Sequence, residues 1–120
     1  MKNLLTAAVI FTLLLGAVFI LFPAGSFSLL GAEPSSLGLM LTRILGAAVL
    51  GFFVILSYAR ISNQQDLHKA VLRGLFSYLL FSTAFLLVSQ LTGLFDPMGW
   101  VLVVIHFLFL IWSAPYAFRK

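Results

Sequence analysis

Residues 37 to 58 read LGLMLTRILGAAVLGFFVILSY, an apolar run of about 20 residues, long enough to cross a bilayer as one helix. A single arginine, Arg43, interrupts it. A full charge inside a membrane helix costs a few kcal/mol or more, so it needs a partner, a water-filled cavity or a route to the headgroups. Arg43 lies six residues after Leu37, about 9 Å along the helix at 1.5 Å per residue. That depth permits two roles: an anchor whose long stem lifts the guanidinium to the interface, or a member of an internal polar cluster. Arg43, Ala47 and Gly51 follow at four-residue spacing, which stacks the arginine above a strip of small side chains where another helix can approach.

The rest of the chain repeats the pattern. Of its 120 residues 62% are hydrophobic and 8% charged, and its mean hydropathy is +1.17; this excludes an ordinary water-soluble domain. Apolar runs over residues 4–22, 37–58, 71–91 and 100–118 predict four spans in one transmembrane domain, an all-α, antiparallel four-helix bundle. The first run is longer than the apolar core of a signal peptide. Ala24 and Ser26 imitate a cleavage site, yet an uncleaved first span is expected.

The formal net charge of +4 comes from a few residues beside the runs, with no basic stripe interleaved with aromatics, so nucleic acid is not an expected partner. Lys2, Arg60, Lys69, Arg73, Arg119 and Lys120 fall on one side of a chain that crosses four times. The positive-inside rule then predicts both termini and the 59–70 connection in the cytoplasm, an N-in, C-in protein of the inner (cytoplasmic) membrane. Trp100, Trp112 and Tyr116 suit the interfacial belts.

Connections and caps follow from turn chemistry. Pro23 to Ser26 should end the first helix, and the serines after Glu33 and Pro34 should cap the second. Asp66 is the expected N-cap of the third span. Gly93 should close that helix, with Asp96 and Pro97 opening the fourth. Gly16, Ala47, Gly51 and Gly74 are the expected helix-packing positions.

With that topology Arg43, Gln90 and His106 lie in the outer half of the membrane, with Glu33 and Asp96 above them. These five are the candidate ligand-binding residues, a pocket open to the outside. No catalytic set is expected: Ser89, His106 and Asp96 have neither the spacing nor the local motif of a triad, and the chain contains no cysteine. One intramembrane histidine does not make a metal site, although His106 could serve as a single axial ligand to a haem or another pigment. Proton-coupled cation export needs a membrane-embedded carboxylate, and all three acids lie outside the runs.

The four short spans, with Thr42-Arg43-Ile44-Leu45-Gly46-Ala47 in the second, resemble the DoxX-like assembly of small bacterial four-helix membrane proteins. The resemblance implies an arginine-lined lipid or quinone pocket, and some members are linked to quinone-dependent oxidation. Two functions stand side by side, ahead of a small transporter. One is a non-catalytic accessory or structural subunit packed against other membrane-protein subunits or further copies of itself, contacting membrane lipids or a pigment. The other is a lipid- or quinone-binding module around Arg43.

Overall fold

A computed structural model describes residues 1–118; Arg119 and Lys120, two of the cations on which the expected orientation rests, lie outside the described residues. Among these the structure is all-helical, with α1 Lys2–Leu21, α2 Pro23–Leu29, α3 Ser36–Ile61, α4 Gln65–Leu91 and α5 Gly99–Ala117. Four of the five, all except α2, are long and apolar enough to cross a membrane. The chain divides into two compact units, Met1–Ser62 and a second beginning at Asn63. Each is a helix hairpin.

In hairpin 1, α1 and α3 run antiparallel: a Cβ built on Gly16 would lie 2.8 Å from the Leu50 side chain and 3.1 Å from the Gly46 carbonyl oxygen. One built on Gly46 would lie 2.9 Å from Phe19 and Ile20 and 3.0 Å from the Gly16 oxygen. Here the two backbones touch. Lipid tails are as apolar as leucine, so the gain at such a crossing comes from close dispersion contact, which only small residues allow. On α1, Ala8, Thr12 and Gly16 repeat at four-residue spacing and are all buried. Thr12 satisfies its hydroxyl by donating to the Ala8 carbonyl at 2.8 Å, so burying it leaves no orphan polar atom. At the far end of the seam Leu4, Leu5 and Leu56 are fully buried.

Pro23 does not simply stop the first helix. It occupies the first position of α2, where a missing N–H costs nothing. That short helix ends in a Schellman motif at Gly31, whose φ is 70°: Gly31 N donates to Ser28 O at 3.1 Å and Ala32 N to Phe27 O at 3.0 Å. Ser35 then caps α3 by accepting from Gly38 N at 3.0 Å, as the serine after Glu33 and Pro34 predicts.

Hairpin 2 pairs α4 with α5, also antiparallel. Its first helix starts six residues before the expected span, at Gln65, so most of the polar 59–70 connection is helical. Gln65, Leu67, Lys69 and Ala70 there are good helix formers, and a helix emerging from the apolar layer has no reason to stop at its edge. Asp66 therefore sits within the first turn of α4 and is not its N-cap, a position Gln64 holds. Gly93 closes α4 as its place in the sequence predicts, with φ at 75° and a second Schellman pair, Gly93 N to Gln90 O at 3.2 Å and Leu94 N to Ser89 O at 3.0 Å.

Candidate functional site

The polar residues with chemical potential lie mostly in hairpin 2. Its seam is drawn from Val71, Leu72, Leu75, Leu79 and Thr83 on α4 and from Gly99, Val103, His106, Ser113 and Ala117 on α5. The α5 positions alternate three- and four-residue steps once half-buried Leu110 is included, the spacing of a knobs-into-holes seam. The register is set at both ends. Arg73 Nε donates to Ala117 O at 3.3 Å, and at the turn Gln90 packs on Gly99. That register puts Thr83 and His106 at about the same level of the two helices, and both are buried.

At the turn, Gln90 Nε2 donates to Asp96 O at 3.1 Å. Its Oε1 is buried without a conventional donor and lies directly where a Cβ on Gly99 would be, so the glycine Cα–H points at it as a weak hydrogen bond. Asp96 Oδ1 accepts from Met98 N at 2.9 Å. Asp96 therefore caps the turn ahead of α5 and is not the N-cap of the helix, which begins at Gly99. Three i to i−3 backbone bonds, Gly99 to Asp96, Trp100 to Pro97 and Val101 to Met98, carry the chain into it. Gln90 and Asp96 thus come together to close the hairpin.

His106 sits about two turns deeper, seven residues past Gly99 at about 1.5 Å each. It is 4% exposed, with Nδ1 2.9 Å from the Leu102 carbonyl oxygen. Tyr78 approaches it with ring centroids 6.3 Å apart. Thr83 is 8% exposed, and its Oγ1 has no hydrogen-bond partner. Among the described residues no group of three or more histidines and carboxylates could hold a metal ion.

The remaining candidates belong to hairpin 1. Glu33 is exposed in the connection before α3, and Arg43 is exposed on α3 itself. Ala47 and Gly51 share that outward face; a Cβ on Gly51 or on Gly74 would meet nothing within 4 Å. The strip below Arg43 is therefore not the face that α3 packs on α1. That face is offset by one residue, through Gly46 and Val49. Gly46, Gly99 and Thr83 were missed as contact positions, although the three-and-four spacing of α5 contains the signal for Gly99.

Comparison with protein-family models, with curated proteins and with solved structures found no match.

Proposed function

We propose that the chain is a non-catalytic accessory subunit of a membrane assembly, crossing the inner membrane four times with both termini and the 62–64 connection in the cytoplasm. The topology rests on the distribution of lysine and arginine. The subunit role rests on one observation, the outward faces of α3 and α4. On α3, Met40, Ile44, Ala47, Gly51, Val54 and Tyr58 are all exposed and alternate four- and three-residue steps. On α4, Ala70, Gly74, Ser77, Phe81, Ala84 and Val88 do the same. A surface built only to face lipid has no use for such spacing or for small residues at its middle, whereas a helix–helix seam uses both. Only 17% to 28% of the best apolar window of each spanning helix is buried, so large apolar faces remain for partners. The chemically capable residues of hairpin 2, by contrast, point into their own hairpin.

Cross-linking in native membranes tests this reading. The chain has no cysteine, so Gly51→Cys creates a unique thiol. A short bifunctional reagent should yield an adduct of defined mass, either twice the chain or the chain plus another membrane protein. Gly51→Leu should abolish the association without loosening hairpin 1. Monomer alone from Gly51→Cys, or unchanged association of Gly51→Leu, would refute the proposal.

A second reading is supported by Arg43, a guanidinium on the exposed face of an apolar helix. There it could hold the head of an anionic lipid or the carbonyl of a quinone.

A further inference from the structure

We propose that α2 is embedded in the apolar layer as the last part of the first crossing, with lipid hydrocarbon tails as the partner of its outward face. The boundary of the layer at this end of hairpin 1 is then the Gly31–Ser35 turn and not the break at Phe22 and Pro23. The register of hairpin 1 carries the depth. Gly46 lies against Phe19 and Ile20, and Gly38 lies against Phe27, whose ring is 3.3 Å from a Cβ built on that glycine. From Phe19 to Phe27 is eight residues, and from Gly46 back to Gly38 is also eight. Equal counts of helical residues are equal lengths, so the chain keeps climbing beside α3 through the break. Four residues back from Phe27 and four on from Gly38, Pro23 comes level with Thr42. Thr42 is five residues past Leu37, about 8 Å inside the start of the apolar run.

The chemistry of the segment agrees with that depth. Residues 3–32 contain no Asp, Glu, Lys, Arg or His, and the next charge is Glu33, in the turn. The polar side chains of α2 are satisfied within their own stretch of chain: Ser26 donates to Phe22 O at 3.1 Å and Ser28 to Ala24 O at 3.2 Å. That is how serine enters hydrocarbon without a water partner. A helix of seven residues has little stability of its own in water, whereas an apolar medium enforces backbone hydrogen bonds. The glycine at φ 70° and the Ser35 cap, which satisfy the helix ends, both belong to the Gly31–Ser35 turn. The outward face is also continuous with the apolar faces of the two long helices. Leu21, Phe22, Leu29 and Leu37, running from the end of α1 through α2 to the start of α3, are each 61% to 67% exposed. Placed on the surface of the layer, this belt would stand in water; placed inside it, lipid tails cover it.

The experiment uses the full chain in phosphatidylcholine vesicles. The chain has no cysteine, so Ala24→Cys on α2, Leu13→Cys on α1 and Glu33→Cys in the turn, all at exposed positions, each take a single spin label. Collision with dissolved oxygen reports hydrocarbon, and collision with a polar nickel chelate reports water. The Ala24 label should match the Leu13 label in oxygen access and meet the chelate at least about tenfold less often than the Glu33 label. Chelate access equal to that at Glu33 would place α2 in water, and exclusion of both reagents would place it under protein; either result overturns the proposal. Hydrogen exchange tests the unsubstituted chain in the same vesicles. The amides of Phe27 to Leu29 should be protected as strongly as those in the middle of α1, and exchange at the rate of an open chain would also overturn the proposal.

Discussion

The two hairpins use the same architecture with different contacts in the seam. Hairpin 1 closes on glycine against glycine, and the threonine buried in it, Thr12, turns its hydroxyl back onto its own helix. Hairpin 2 places Gln90, Thr83, His106 and Ser113 along its interface and is pinned at the ends by Gln90 on Asp96 O and Arg73 on Ala117 O. A seam of backbone contact has one packed arrangement, because any added atom meets main chain that cannot move aside. Between those pins His106 and Ser113 also bond within their own helix, with Nδ1 2.9 Å from Leu102 O and Ser113 donating to Leu110 O, so the middle of this seam is side chain against side chain, and side chains can change rotamer to take up added volume. Added volume should therefore cost more in hairpin 1 than in hairpin 2.

The strongest way to break this comparison is to overfill the glycine crossing. Gly46→Leu must push α1 and α3 apart, since even its Cβ would lie 3.0 Å from the Gly16 oxygen. The loss should reach the upper end of the range of about 1–3 kcal/mol typical of overpacking, or exceed it. Unfolding in a denaturing detergent, followed by helical circular dichroism, measures it. Gly51→Leu on the outward face is the control and should leave hairpin 1 unchanged. Equal destabilisation by the two would show that the glycine contact is not what holds the hairpin.

A smaller effect is expected at the turn of hairpin 2. The added methyl of Gly99→Ala collides with Gln90 Oε1 and would lie 2.7 Å from the Phe95 Cβ, whereas Gln90 is a flexible side chain that can swing away. The cost should be about 1–2 kcal/mol, within the overpacking range but below Gly46→Leu. Gln90→Ala alone forfeits one hydrogen bond, about 1 kcal/mol. Because the glutamine is part of the obstruction, the double variant should lose less than the two single losses combined. Strict additivity would mean that Gln90 does not rest on Gly99 and that hairpin 2 closes by other contacts.

The four spans, the Ser35 cap and the Gly93 stop were legible in the sequence because length, hydropathy and turn chemistry are local properties. The packing face of α3 was not. In a soluble protein the polar side of a helix reveals its buried side, but in lipid both sides are apolar, and small residues recur on α3 in two registers, Gly46 beside Val49 and Ala47 above Gly51. The presence of Arg43 drew attention to the second register, whereas the contact with α1 uses the first. Gln90 and His106 were legible as polar groups in apolar runs. That Gln90 closes its own turn, and that His106 is buried level with Thr83, depends on the register of α4 on α5. Neither helix reveals that register alone.

The smallest structural effect is expected at Arg43, and for that reason it discriminates best between a partner-packing face and a ligand-holding one. Arg43 is exposed on α3 and is absent from the seam with α1, so Arg43→Lys should leave the unfolding of hairpin 1 unchanged. An anchoring arginine tolerates lysine, since both lift a cation to the interface along an apolar stem. A guanidinium bonded through its planar fork to a lipid phosphate or a quinone carbonyl does not tolerate it, because lysine keeps the charge and loses the paired donors. The readout is the lipid and quinone retained by each purified protein at equal folded yield. On the subunit reading, Arg43→Lys keeps what the parent keeps, and association through Gly51 is also preserved. Loss of one specific lipid or quinone with Arg43→Lys, at unchanged association, would transfer the function of this face from packing to binding.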